Sequence, residues 1–349
     1  MKQEWQEQKV SLQSVKDWLQ RVTGAESIAG PTEIFRSNAW GITAAFHARD
    51  REYVCKIGFL PVFQTSPAIY RLLGRLHSVQ VPKLVAGETI GDQTWLLFEP
   101  FPPALESKKA LADFQQTAVA LAEIQNQAAA LIKQEKPDVP LFRVEEVQAA
   151  CLAFLDRLEA VYQPEWRQNA AQLMEQFHIP EQQLKLLADE ATLPRLREQV
   201  QQACRVLSHF DCPLSLYHLD LHTGNVVLTA GGRLIFDWEE AVVTLPFFSL
   251  SKLLADARTH LQAGQDARWT AEEQEIIESY LDALHLPYPQ EERLCIFNIA
   301  MCLAPLLYSR QSLYFLQQVG WADSAAGFLA PDVALAAERF QIFSKLYSY

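Results

Sequence analysis

The stretch Tyr217-His-Leu-Asp-Leu-His-Thr-Gly-Asn225-Val-Val-Leu-Thr-Ala-Gly-Gly-Arg-Leu-Ile-Phe-Asp237-Trp-Glu239 decides how this chain is read. Thr223-Gly224 makes a tight turn between Asp220 and Asn225, and Val226 to Leu228 and Leu234 to Phe236 are short apolar arms joined by Ala230-Gly231-Gly232. Such arms around a glycine pair predict an antiparallel hairpin. The arms are short and run in opposite directions, so folding returns Asp237 to the end of the hairpin that holds Asn225. Two oxygen ligands then meet beside a further carboxylate, Asp220. Mg²⁺ carried on a nucleotide needs only such a half-site, because phosphates and water complete its shell.

Single residues of this stretch have plainer readings. Asp and Asn around a turn are common turn formers, and His218 or Glu239 alone reads as structural. His218, Asp220 and His222 alternate, so on a strand they would share one face and form the metal triad of a hydrolase. That reading leaves Asn225 and Asp237 without a role.

Taken together, the pattern HxDxxxxN followed by a strand-borne Asp resembles the kinase catalytic loop and its metal-binding Asp. The form HLDLHTGN…FDWEEA is similar to the aminoglycoside phosphotransferase and choline kinase superfamily, which typically shows HGDLHPGN…IDWE. The resemblance implies a two-lobed protein-kinase-like α+β fold, with a small β-rich lobe over residues 1–99 and a large helical lobe over 100–349. It implies catalytic roles for Asp220, as base, and His218, as support of the loop, and Mg²⁺ held by Asn225 and Asp237. His222 matches the family's form without a role of its own.

The N-terminal part can be set against the same pattern. In Tyr53-Val-Cys-Lys-Ile57 a lysine interrupts an apolar strand, where an ammonium requires an anion nearby. Lys56 takes the place of the family's phosphate-binding Lys; the alternative is an edge-strand lysine whose head reaches water. Arg36-Ser-Asn-Ala-Trp-Gly41 occupies the slot of the loop that covers the phosphates, which makes Ser37, Asn38 and Gly41 nucleotide-site candidates. Leu96-Leu-Phe-Glu-Pro-Phe101 resembles the hinge, with Glu99 and Phe101 beside the adenine. Four departures stand out. No Glu occurs in Ser66-Pro-Ala-Ile-Tyr-Arg-Leu-Leu73 to pair with Lys56, Leu219 replaces a Gly, Gln125 stands where a His is common, and Ser249 stands where an Asp usually opens the next helix. A buried Lys56 without a carboxylate should have a lowered pKa.

Further out, Leu12, Val15, Trp18, Leu19 and Val22 predict a helix over Ser11 to Val22, stopped by Thr23-Gly24. Ile42 to Ala48 with Glu52 to Ile57, turning at Arg49-Asp50-Arg51, and Lys83 to Gly87 with Thr94 to Phe98, read as two hairpins. Ser66-Pro67 reads as an N-cap and first helical residue. Glu99-Pro-Phe-Pro-Pro103 suits neither sheet nor helix and marks the lobe boundary. Helical patterns fill Leu105 to Phe210, Leu250 to Leu261, and the remainder from Thr270, where Glu273 completes a capping box.

The chain of 349 residues is 49% apolar, enough to build real cores. Its net charge of −12 disfavours nucleic-acid binding. Six scattered cysteines read as reduced core residues of a cytoplasmic protein. Cys295 to Tyr308, the longest apolar run, is interrupted by Asn298 and Pro305, and neither a membrane span nor an export signal is expected. The function implied by the resemblance is transfer of the γ-phosphoryl group of ATP, with Mg²⁺, to a hydroxyl of a small molecule. The rival is a catalytically weak pseudokinase that binds nucleotide or acts as a scaffold.

Overall fold

Hydrogen bonding at the first helix follows its sequence signals. In the computed structural model, which describes residues 5, 9–49, 51–78, 80–101, 109–135, 139–261 and 268–343, α1 (Leu12–Thr23) is capped by Ser11, whose hydroxyl accepts the Ser14 N–H at 3.0 Å. It stops at Gly24, which adopts φ 64° and donates its N–H to Gln20 at 2.8 Å. Glycine takes this left-handed conformation at no steric cost. The stripe of Val15, Trp18 and Leu19 packs on one face of the sheet with Phe46, Cys55, Ile57 and Trp95.

That sheet is antiparallel throughout and has the order β1-β2-β3-β5-β4. Its strands are β1 (Glu33–Asn38), β2 (Gly41–Ala48), β3 (Arg51–Gly58), β4 (Leu84–Ile90) and β5 (Gln93–Phe98), with α2 (Ser66–Leu73) between β3 and β4 in the chain. Both expected hairpins form; β1 is an additional strand, where the sequence suggested only a loop. Lys56 pairs with Thr43 on one side and Leu96 on the other, so it sits on an interior strand. The edge-strand reading of Lys56 is therefore wrong. At α2 the residue before the helix is Thr65, not Ser66. Asp50, Pro102 and Pro103 lie outside the described residues.

Next come α3 (Leu111–Glu135), α4 (Val144–Arg157), a π-helical turn at Leu158–Tyr162, α5 (Gln163–Gln168), α6 (Ala170–Phe177), α7 (Glu181–Ala188) and α8 (Thr192–Leu207). Four short strands follow: β6 (Ser215–Tyr217), β7 (Val226–Thr229), β8 (Gly232–Ile235) and β9 (Val242–Thr244). β7 and β8 form the expected hairpin, while β6 pairs with β9, a strand the sequence did not signal. The chain ends with α9 (Leu250–His260), α10 (Ala271–Ala283), α11 (Gln290–Gln318) and α12 (Ala325–Phe343). At α10 the Thr270–Glu273 capping box is complete in both directions.

The chain divides into two compact units, each continuous in space and discontinuous in sequence. The first holds Met1–Lys108, Ala130–Pro140 and Gly224–Ala241; the second holds Lys109–Ala129, Leu141–Thr223 and Val242–Tyr349. The division at Lys108 follows the proline-rich stretch, and the β7–β8 hairpin joins the sheet-bearing unit although helical sequence surrounds it.

In the helical unit α11 passes through Pro305 without ending. Proline lacks the N–H that would bond to the carbonyl four residues earlier. That carbonyl, on Met301, instead accepts from Arg339 Nη1 of α12 at 3.0 Å. By length and composition α11 could cross a membrane, yet 67% of its most apolar window is buried inside the protein, as a core helix would be.

Candidate active site

In the sheet-bearing unit, pairing of Val226 with Ile235 brings the next residues outward, Asn225 and Phe236, side by side, and Phe236 N–H donates to Asn225 O at 3.0 Å. Asp237 follows at φ 71°, a left-handed turn that ends the strand. Asn225 and Asp237 thus lie at one end of the hairpin, as their spacing requires.

Lys56 Nζ meets this hairpin directly. It hydrogen-bonds Asp237 Oδ1 and lies 2.7 Å from Glu239 Oε1. The helix glutamate missing from α2 is replaced by Glu239, two residues beyond the aspartate. Burial alone would lower the pKa of Lys56, but the charges of Glu239 and Asp237 outweigh it and raise it. This overturns the expectation of a lowered value for an unpartnered lysine.

The two carboxylates respond oppositely. Burial opposes ionisation of Asp237, yet Lys56 more than compensates and holds it well below the usual carboxylate range. Glu239 is pushed up to about 7, by burial first, with the Asp237 charge adding to it against the pull of Lys56. One ammonium between two carboxylates satisfies one of them fully.

Helix α2 still contributes to this site, through other residues. Tyr70 accepts the Trp238 N–H at 3.0 Å and its hydroxyl, raised by burial and by the nearby Glu239 and Asp237 charges, lies beside that carboxylate pair. Ser66 Oγ reaches Glu239 O at 2.8 Å and Phe63 O at 2.6 Å, which explains why this serine is buried inside the first turn instead of capping it.

The other nucleotide-site candidates belong to the same unit. Asn38 Oδ1 accepts from the N–H groups of Trp40 at 3.2 Å and Gly41 at 3.1 Å, closing the β1–β2 turn on itself. Gly41 is needed for sheet packing, since a Cβ there would stand 2.8 Å from Ile57 O. Ser37 Oγ is buried without a hydrogen-bond partner. Glu99 N–H donates to Lys83 O at 3.0 Å, and the Phe101 ring lies 5.2 Å from that of Phe236.

His218, Asp220 and His222 belong to the helical unit. His218 is fully buried, and its N–H donates to Ser249 Oγ at 3.0 Å. Leu219 adopts φ 64°, a left-handed conformation that glycine takes at no steric cost. Its side chain is buried, which offsets the backbone strain. Asp220 is half-exposed, and His222 Nε2 stands 3.5 Å from Asp220 Oδ2. That hydrogen bond, with the neighbouring positive charges, lowers the Asp220 pKa and keeps the carboxylate ionised.

An uncharged anchor holds this loop. The Gln125 amide nitrogen donates to Leu216 O at 2.8 Å and Pro246 O at 2.7 Å, with Ser249 Oγ at 3.2 Å, while its oxygen accepts from Tyr280 at 2.7 Å. Two N–H groups cannot serve three acceptors equally, so the longest contact is the weakest. The two departures at Gln125 and Ser249 are thus partners of each other. Ser249 does not cap α9; its hydroxyl is spent on His218. Asp256, which sequence reasoning did not single out, accepts the Thr223 N–H at 2.7 Å and pins the turn after Asp220.

A metal fits the hairpin end chemically. Asn225 and Asp237 offer hard oxygens, and Glu239 beside them adds a buried carboxylate. Among the described residues there is no cluster of three or more His, Cys, Asp or Glu side chains around one metal point. The His218/Asp220/His222 triad therefore has no support, and a cation here would rely on the oxygens of its own ligand.

The fold is protein-kinase-like. Residues 36–284 match the phosphotransferase enzyme family, and the chain belongs to that family. A thermostable mutant of the aminoglycoside phosphotransferase APH(4)-Ia, solved with ADP and hygromycin B, aligns at TM-score 0.54 and 13% identity over 93% of this chain and 98% of its own. Plasmodium vivax ethanolamine kinase aligns at 0.56 and 15%, covering 90% and 83%. A choline/ethanolamine kinase family protein from Mesorhizobium loti aligns at 0.51 and 14%, covering 89% and 94%. No curated protein sequence matches significantly.

Proposed function

We propose that the protein transfers the γ-phosphoryl group of ATP to a hydroxyl group of a small molecule. The observation that carries this reading is the ion cluster in which Lys56, on an interior strand, meets Asp237 and Glu239 on the hairpin. A buried ammonium between two carboxylates is costly to maintain as a purely structural device. It serves when phosphates and a divalent cation arrive to redistribute the charges.

In the proposed reaction a bond forms between the acceptor oxygen and phosphorus, the bond to ADP breaks, and the hydroxyl proton passes to Asp220. Lys56 holds the α and β phosphates. Asn225 and Asp237 hold Mg²⁺, which when bound neutralises charge on the transferring group. Glu239, assisted by Tyr70, keeps Lys56 in place. His218 and the Gln125–Ser249 pair hold the loop that carries Asp220. The ADP bound in one solved structure of similar fold supports the nucleotide; hygromycin B in the same structure and the ethanolamine kinase name of another support a small hydroxyl compound as acceptor.

The pseudokinase alternative draws on two departures, the missing helix Glu and the uncharged Ser249. Glu239 and Gln125 stand in for both, which favours an active enzyme. The test is calorimetric titration with ATP and Mg²⁺, followed by ATP turnover against a panel of small hydroxyl compounds. Asp220→Asn should lower turnover by about 10² to 10⁴ with nucleotide affinity little changed. Near wild-type turnover in that variant would refute the base assignment, and binding of MgATP without any turnover would favour the pseudokinase.

A further inference from the structure

Asp220 lies between two anchors of its loop, and the anchors differ in kind. Upstream, the His218 N–H donates to the Ser249 hydroxyl at 3.0 Å, a neutral contact just before α9. Downstream, the Thr223 N–H donates to Asp256 Oδ2 at 2.7 Å, and the acceptor there is a carboxylate. Hydrogen bonds to an ionised group are shorter and roughly twice as strong as neutral ones.

Asp256 sits inside α9, beyond the first turn, so no free backbone N–H of that helix remains for it to cap. Its carboxylate reaches out of the helix instead, and only 19% of the side chain is exposed. One turn on, His260 Nε2 stands 3.4 Å from Asp256 Oδ1, and the same nitrogen lies 3.5 Å from Lys109 Nζ. The His260 ring is also 6.3 Å from that of Phe114 on α3. Each carboxylate oxygen thus has its own neighbour, which fixes the plane of the group. The run Lys109–His260–Asp256–Thr223 lies wholly within the helical unit, and its ends are residues at which the chain enters and leaves that unit.

The loop needs such support. Leu219, next to Asp220, holds a left-handed backbone conformation, and a residue with a side chain persists there only where its surroundings over-determine it. With the downstream anchor gone, the segment from Asp220 to Thr223 is held from one side alone and can relax that strain. Resting on the reading of Asp220 as the base, we propose that Asp256 is a positioning residue for it: the carboxylate, oriented by His260, fixes Thr223 and thereby the direction in which Asp220 faces the acceptor hydroxyl. Asp256 acts through Asp220, so its removal should appear in kcat and leave substrate binding alone.

The experiment follows MgATP turnover by the full chain with D-glucose, ethanolamine and water as acceptor probes. Asp256→Ala should lower kcat at least tenfold on every probe the wild type uses, with KM for D-glucose or ethanolamine and the calorimetric Kd for MgATP within twofold. Exchange protection of the Thr223 amide, read by NMR, should fall at least tenfold in the same variant. Asp256→Asn keeps an oxygen for the Thr223 N–H and gains an amide that can donate to a neutral His260, so it should bring kcat and protection back to within threefold of wild type. Asp256→Ser, whose hydroxyl is too short to reach Thr223, repeats the test if the Ala variant does not fold. Unchanged kcat in a folded Ala or Ser variant overturns the proposal. So does a loss carried by KM, or a loss in Asp256→Asn equal to that in Asp256→Ala. Wild-type protein that binds MgATP and turns over no probe, water included, removes the phosphotransferase reading itself, and the role of Asp256 with it.

Discussion

Lys56 has carboxylates on both sides of its charge, and removing that charge leaves Asp237 and Glu239 facing each other in a buried place. From the sequence, Lys56→Met would be neutral or stabilising, since an isolated buried charge would go. With the triad in view the sign reverses. Breaking a buried ion pair from one side costs about 3–5 kcal/mol, so Lys56→Met should be destabilised at pH 8 by about 3 kcal/mol and should lose ATP affinity. Urea unfolding and calorimetry check the two effects separately; undiminished ATP affinity would exclude Lys56 from the nucleotide site. Glu239 gives a pH signature. Its folded pKa of about 7 lies above the ordinary value of 4.5, so the folded protein binds the extra proton between them. Stability contributed by that proton is full below pH 4.5 and is lost as pH rises through 7. Across that window wild-type stability should fall more steeply than that of Glu239→Gln, in melts without nucleotide. Parallel profiles would mean that Glu239 is ionised throughout.

At the scale of elements, α11 and α12 exchange a hydrogen bond that compensates for a proline. Pro305 frees the Met301 carbonyl and Arg339 takes it, while the guanidinium also lies 4.6 Å over the Trp269 ring. Hydrogen bonds involving a charged group contribute about 1.5–3 kcal/mol. Arg339→Met should therefore lower stability by about 2–3 kcal/mol. In a Pro305→Ala background the restored N–H can serve Met301, so the same change should cost about 1 kcal/mol less. A double-mutant cycle from urea denaturation measures this coupling, and strict additivity would show that Arg339 acts only through packing.

For the whole molecule the measurable consequence is linkage between ligand and stability. A ligand at 100 times its Kd adds about 2.7 kcal/mol, and each kcal/mol moves Tm by roughly 2–4 °C in domains of this size. ATP with Mg²⁺ should therefore raise Tm by roughly 5–10 °C at such saturation, and ATP without Mg²⁺ by clearly less. Asp237→Ala should abolish the Mg²⁺-dependent part, because it removes the carboxylate at the hairpin end. Equal stabilisation of Asp237→Ala and wild type at saturating Mg²⁺ would refute the metal assignment.

What the sequence by itself determined lies within short stretches of chain. The Asn225–Asp237 hairpin, the Ser11 and Gly24 caps and the Thr270–Glu273 capping box all follow from residue type and spacing, because steric and hydrogen-bonding rules act over a few residues. The composite pattern from Tyr217 to Glu239 also carried the family and the fold. Only the tertiary structure decided the partners. A lysine in an apolar strand announces that an anion is near, yet nothing local says that the anion is Glu239, 183 residues further on. Gln125 and Ser249 look like two separate losses until packing joins them 124 residues apart. Met301 and Arg339 meet only because α11 and α12 lie together, which also lets a helix continue through Pro305. The physical reason is common to all three. Burial creates an obligation for each charge and polar group to be satisfied, and the sequence shows the obligation, but which distant group meets it depends on how the elements pack.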